Sequence, residues 1–271
     1  MLKQRIITAA VLVPIALIGF FLLDGAAFAL FIGAVVTLGA WEWARLADYT
    51  QQPARVGYAA LVAVLLVLLF QMPAFVPWLL SAAVVWWLAA TYFVLTYPGS
   101  QRHWGGRNGS LLIGLLILLP AWQALVVLKQ WPQGNWLIVA VMVLVWAADI
   151  GAYFSGKTLG RRKLAPQVSP GKSWEGMIGG LITSLLITLA VGLYRDWLAR
   201  ELVLALLGAA TVVVTSVVGD LTESMFKRSS GIKDSSQLLP GHGGVMDRID
   251  SLTAAVPVFT VLLWLAGWAA W

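Results

Sequence analysis

The sequence predicts an all-α, polytopic integral membrane protein of about nine transmembrane helices with a cytoplasmic N-terminus. Three observations carry that expectation. Of the 271 residues, 60% are hydrophobic and 11% charged, against the roughly 25% charge of an ordinary soluble domain. Apolar stretches close to the ~20 residues that cross a bilayer recur from one end of the chain to the other. Basic residues concentrate in alternate connections, as cytoplasmic loops require. The absence of cysteine excludes a disulfide framework, iron–sulfur ligation and thiol catalysis. Two histidines, His103 and His242, are too few for a histidine-rich zinc site.

The spans fall at about 6–23, 26–44, 56–72, 75–97, 109–129, 135–155, 175–194, 201–219 and 251–270. The first follows the basic start MLKQR and is trailed by Ala27-Phe28-Ala29, which imitates a signal cleavage site. Its apolar run, Ile6–Leu23, is longer than the roughly 7–15 residues of a signal-peptide core and reads as a retained helix. With the N-terminus inside, 15 of the 18 Lys and Arg lie on the cytoplasmic side, leaving Lys129, Arg195 and Arg200 opposite. That asymmetry accounts for the +6 net charge without any nucleic-acid partner. It also puts both long polar connections, about 156–174 and 220–250, in the cytoplasm, where nucleotides are. Trp41, Trp43, Trp78, Trp104, Trp131, Trp136, Trp174, Trp197, Trp268 and Trp271 lie near span ends and read as the interfacial aromatic belt. The chain reads as one integral membrane domain, residues 1–271, with 1–130 mainly membrane-embedded spans and 131–271 the catalytic half.

The segment Asp220–Asp250, DLTESMFKRSSGIKDSSQLLPGHGGVMDRID, gathers five acids, four bases, a histidine and a GHGG turn beside apolar spans. Such groups cost a few kcal/mol or more each when left unpaired in lipid, so their presence marks a functional site. Carboxylates interleaved with lysines and arginines suit a Mg²⁺–nucleotide and a phosphorylated partner. Asp220, Glu223, Ser224 and Lys227 are spaced i, i+3, i+4 and i+7, one face of a helix that continues from the eighth span. Asp247, Asp250 and Ser251 repeat the first part of that spacing at the start of the ninth, so two helix ends could share one metal site. A salt-bridged surface hairpin would use the same charges, but does not explain why both acid pairs abut spans.

Three other stretches are ambiguous. Gly151-x4-Gly156-Lys157-Thr158 fits the phosphate-loop formula, yet it trails a long apolar span and its interior is Tyr-Phe; such a loop needs a strand before it and a helix after it. Asp149, near the cytoplasmic end of the sixth span, is either functional or a carboxylate paired with Lys157. Ser169-Pro170-Gly171-Lys172-Ser173 before Trp174-Glu175 resembles a helix start. Its free N–H groups and Lys172 could hold a phosphate, and the same residues also make an ordinary cap.

Together, Ser224-x-x-Lys227-Arg228-x4-Lys233-Asp234-x5-Pro240-Gly-His242-Gly-Gly-x-x-Asp247-Arg248-x-Asp250 resembles the signature of the phosphatidate cytidylyltransferases, or CDP-diacylglycerol synthases. Ser169-Pro-Gly-Lys-Ser-Trp-Glu-Gly and Ala148-Asp149-x-x-Ala-Tyr are similar to the family as well; the N-terminal half matches only in hydrophobic layout and its Lys3-x-Arg5-x-x-Thr8 opening. The resemblance implies transfer of CMP from CTP to phosphatidate, giving CDP-diacylglycerol and pyrophosphate, at the inner face of a bacterial cytoplasmic membrane. It also implies Mg²⁺, with a second, monovalent cation in some members, and a homodimer.

The chemistry suits these residues. A phosphomonoester has its second pKa at about 6, so the attacking oxygen of phosphatidate is already ionised. The site must neutralise roughly five to six negative charges rather than supply a strong base. Asp220 and Asp247 are accordingly expected as metal ligands, with Glu223 and Asp250 beside them. Lys227, Arg228, Lys233 and Arg248 are expected to hold phosphates, with Lys172, Ser169, Ser173 and Ser224 as further substrate contacts. His242, Gly243 and Gly244 would shape the turn or donate to a phosphate. The competing readings are a CTP-dependent polyprenol or dolichol kinase, which would release CDP, and a secondary transporter. The latter usually shows broken helices in inverted repeats near the midplane.

Overall fold

The computed structural model describes residues 2–268. Its helices are α1 (Leu2–Phe21), α2 (Gly25–Leu46), α3 (Gln52–Phe70), α4 (Val76–Leu95), the short α5 (Gln101–Trp104), α6 (Arg107–Gln130), α7 (Gly134–Leu159), α8 (Trp174–Tyr194), α9 (Ala199–Ser229) and α10 (Met246–Leu265). Among the described residues, α2, α3, α4 with the turn before it, α6, α7, α8, α9 and α10 are long and apolar enough to cross a membrane, giving eight such helices. The first of the nine expected spans is α1, whose apolar part, Ile6–Phe21, is shorter than the other eight. The chain is a polytopic, helical membrane protein.

In the bundle α7 packs against α8, α9 against α10, and α2 against α3 and α6, while α10 also packs on α6. Between helices in lipid the hydrophobic effect gives little, and close backbone approach at small residues does the work. A side chain on Gly180 would enter the backbone of Ala148, and one on Gly151 would collide with Thr183 and Gly179, so α7 and α8 touch through glycine. Gly151–Thr158 lies wholly inside α7, which rules out a phosphate loop there.

Two sequence expectations change. The stretch Ser169–Ser173 is not the first turn of a helix. It is strand β2, paired antiparallel with β1 (Lys163–Ala165) in register Lys163↔Ser173 and Ala165↔Ser169. The helix begins only at Trp174, where Ser173 Oγ accepts the Gly176 N–H at 3.1 Å. The tryptophan belt is also smaller than expected. Trp78, Trp136, Trp174 and Trp268 are exposed, but Trp43, Trp104 and Trp131 are buried; Trp271 lies outside the described residues. Trp43 and Trp104 close on Phe226 of α9 with ring centroids 4.8 and 4.5 Å away. The Trp43 indole donates to the Ser110 carbonyl at 2.7 Å, satisfying the one polar atom such a ring carries inward.

At 1.5 Å per residue, the 31 residues of α9 run about 46 Å. The hydrocarbon layer is only ~30 Å thick. The C-terminal turns of α9, with their carboxylates and lysine, therefore have room to stand at the polar end of the bundle.

Candidate active site

The site forms where α9 crosses α10. Gly219 makes the crossing possible: a Cβ there would lie 2.7 Å from the Asp250 carbonyl oxygen and 2.9 Å from Ala254. Immediately after it, the expected i, i+3, i+4, i+7 face presents Asp220, Glu223, Ser224 and Lys227 toward the first turns of α10. Ser224 donates to Asp220 Oδ1 at 3.2 Å. Lys227 Nζ stands 2.7 Å from Asp247 Oδ1 and 3.4 Å from Glu223 Oε2. Glu223 and Asp250 face each other within hydrogen-bonding reach, with Asp220 close enough to act on Asp250 electrostatically. With both ionised, neither of that facing pair can donate, so their contact is favourable only with a proton or a cation between them.

The β-hairpin brings in the second ammonium. Lys172 Nζ lies 2.6 Å from Asp220 Oδ2, and both side chains keep about a quarter of their surface. Glu175 accepts the backbone N–H groups of Arg161 and Arg162 and holds the base of the hairpin to α8. Arg228 spends its guanidinium on the carbonyls of Val168 (3.2 Å) and Ile232 (3.4 Å), tying the hairpin's turn to α9. Lys233 and Arg248 are exposed at the rim, and Ser169 is half-buried in β2.

The GHGG turn has a steric logic. Gly241 and Gly243 adopt φ of +77° and +84°, the left-handed region that only glycine occupies without strain. A Cβ on Gly243 would meet Asp247 Oδ2 at 2.7 Å, and one on Gly244 would meet the Glu42 carboxylate. Asp247 Oδ2 accepts from Gly244 N (2.8 Å), Ser235 N (2.9 Å) and Ser235 Oγ (2.9 Å). Both oxygens of Asp247 thus have protein partners, whereas sequence reasoning put it among the metal ligands and gave Lys227 to phosphate. The physical reason is burial: Asp247 and Lys227 neutralise each other where water is excluded. His242 Nδ1 is buried without a hydrogen-bond partner.

Sequence reasoning missed Glu42, Arg45, Ser235 and Ser236. Glu42 is fully buried and bonded to the 235–246 segment. Its signal was an ionisable residue near the end of an apolar segment, GAVVTLGAWEWARL, which is by default a functional hypothesis. Asp149, ambiguous in the sequence, lines a cavity of about 220 Å³ between α7, α8 and α9, together with Lys172, Tyr153, Met177, Val213 and Val217.

These residues suit a hard divalent cation in charge and donor type. With all four ionised, Asp220, Glu223, Asp247 and Asp250 would carry two more charges than their partners Lys172 and Lys227 neutralise. Both Glu223 oxygens are buried with no hydrogen bond. Among the described residues no three acidic or imidazole groups form a metal site by themselves. Mg²⁺ does not need one, since it keeps waters and takes one or two carboxylates plus substrate phosphates.

A many-spanning helical bundle with clustered carboxylates at one end, two ammonium groups among those acids and a cavity open beside them suits a membrane enzyme of nucleotidyl or phosphoryl transfer. The chain matches the Cytidylyltransferase family over residues 3–266 and belongs to it. It is 73% identical over 270 residues to the phosphatidate cytidylyltransferase of Pseudomonas aeruginosa, covering 100% of both chains. It is 44% identical to that of Haemophilus influenzae, covering 96% of this chain and 98% of the relative. A 46% identity to the phosphatidate cytidylyltransferase of Synechocystis covers 50% of this chain and 46% of the relative.

Proposed function

We propose that the chain transfers CMP from CTP to phosphatidate, giving CDP-diacylglycerol and pyrophosphate, at the cytoplasmic face of a bacterial inner membrane. The observation that carries this reading is the carboxylate–lysine cluster set against a cavity whose walls are largely apolar. A lipid phosphate can enter between α7, α8 and α9 toward Lys172 while its acyl chains stay in the bilayer.

In the reaction an ionised phosphate oxygen of phosphatidate forms a bond to the α-phosphorus of CTP as the α–β bridging bond breaks and pyrophosphate leaves. No proton need move, so no general base is assigned. Lys172, with Ser169 and Ser173 near it, is placed to meet phosphate oxygens, and Lys233 and Arg248 at the rim can reach the β- and γ-phosphates. His242 would shape the GHGG turn or donate to a phosphate. Asp220, with Glu223 or Asp250 beside it, would supply the one or two carboxylates that Mg²⁺ takes, with Asp247 locking the loop beside them. The metal supplies charge neutralisation at the phosphates. A second, monovalent cation and a homodimer rest on the family resemblance. A cytoplasmic N-terminus and α1 as a ninth crossing are supported by the charge asymmetry. They are supported also by the two ends of α1: Thr8 donates to Pro240 in the polar loop at 2.9 Å, and the Phe20 carbonyl accepts from Lys129 at 2.7 Å.

The test uses purified protein in micelles with phosphatidate, Mg²⁺ and CTP labelled at the α-phosphate. Label should enter the lipid in step with pyrophosphate. Lipid labelled only by γ-phosphate, with CDP released, would replace this reading with a lipid kinase.

A further inference from the structure

We propose that Glu42, on α2 and far from the signature in sequence, is a positioning residue for this transfer. Its carboxylate accepts from Ser236 Oγ (2.5 Å) and Val245 N (3.0 Å) on one oxygen, and from Met246 N (2.7 Å) and Ser235 Oγ (3.3 Å) on the other. Val245 and Met246 open α10, so Glu42 caps from outside the helix that carries Asp247 and Asp250. The three consecutive amides 244, 245 and 246 are divided between two carboxylates, Asp247 taking the first and Glu42 the others. Arg45, one turn along α2, adds a grip on the same segment by donating to the Ser235 carbonyl at 3.2 Å.

The link to the reacting end runs through one hydroxyl. Ser235 Oγ has a single proton and lies between Asp247 Oδ2 at 2.9 Å and Glu42 Oε2 at 3.3 Å. Asp247 in turn holds Lys227, and Lys227 stands against Glu223. Glu42 is 0% exposed, and among the described residues no ion pair to it is found. Its charge is held by hydrogen bonds, the positive end of α10 and the electrostatic pull of the nearby Arg55 guanidinium. Simple filling of space would be met by a neutral residue at lower desolvation cost. Two adjacent amides and two hydroxyls, however, demand an acceptor with two oxygens and no hydrogen of its own. Glutamine would turn an N–H₂ toward N–H donors. The role is to hold α10's first turn and the 235–246 loop in register with α9, not to touch substrate.

This inference rests on the proposed transfer, and wild-type protein assayed in parallel separates the two. Wild type that moves no label into lipid sinks the function, whereas wild type and variants equally active sink the inference. The variants are Glu42→Gln, Ser235→Ala and their combination, each purified as a monodisperse species in detergent. Glu42→Gln should lower kcat by about 30- to 100-fold, the scale of an ångström-level misplacement, with KM for CTP within about threefold. Ser235→Ala should lower kcat by about fivefold, and the double variant should be no slower than Glu42→Gln alone, as expected for groups acting through one link. A purely structural role would leave folded molecules turning over normally however far Tm fell, and that result overturns the proposal. So do multiplicative effects in the double variant. If Glu42→Gln does not fold, Ser235→Ala and Ser236→Ala decide alone: wild-type kcat in both refutes the role, and a loss in kcat without a loss in Tm upholds it.

Discussion

Glu42 and Glu223 are both buried carboxylates at the polar end of the bundle, 0% and 2% exposed, and the fold treats them in opposite ways. Glu42 has four protein donors within reach of its two oxygens. Glu223 has none, only an ammonium at 3.4 Å and a second carboxylate facing it. An acid whose acceptor positions are all used maintains a structure. An acid left without donors beside another carboxylate has acceptor positions to offer a cation. Burial alone would not have told the two apart; the count of donors does.

The largest expected effect concerns the unsatisfied side of that contrast. Asp220→Asn should lower transfer by about 10³-fold, on the scale of removing a key electrostatic group, with Tm nearly unchanged because the side chain is only partly buried. Radiolabel transfer and thermal unfolding in detergent measure the two together. The sharpest test pairs the glutamates. Glu223→Gln relieves the carboxylate–carboxylate contact with Asp250 and should stabilise the substrate-free protein by about 1–2 kcal/mol while slowing transfer. Glu42→Gln leaves buried donors unpaired and should destabilise it by about 2–4 kcal/mol. Melting shifts of the same sign would break the comparison. Lys172→Ala should raise KM for phosphatidate by about tenfold, yet cost no more than about 1 kcal/mol of stability, because its ion pair is part-exposed. Smallest is Thr8→Val, which removes the exposed bond to Pro240: about 0.5 kcal/mol, with activity within about twofold of wild type.

Much of this was legible in the chain. Helical spacing alone put Asp220, Glu223, Ser224 and Lys227 on one face, because α9 does continue unbroken past the apolar span. The GHGG turn was readable as a tight backbone feature because its glycines are needed for φ and for space. The hairpin was not. Its two strands total eight residues, and Pro166 and Pro170 made the stretch read as loop and helix start. Trp43 and Trp104 looked interfacial, since periodicity near a span end cannot say whether a ring faces lipid or Phe226. Glu42 stayed hidden for a related reason: its partners lie about 200 residues away, and no local pattern records a contact of that range.

The length of α9 has a consequence for how the enzyme meets its membrane. A helix about 46 Å long, anchored in a layer ~30 Å thick, works as a ruler. It fixes the height at which Asp220 stands relative to the lipid headgroups. In a thicker bilayer the same helix sinks or straightens, and the acids approach hydrocarbon. In a thinner one they rise away from the phosphates they must meet. Turnover in vesicles of graded acyl length should therefore pass through a maximum, set by geometry rather than by any preference for particular tails.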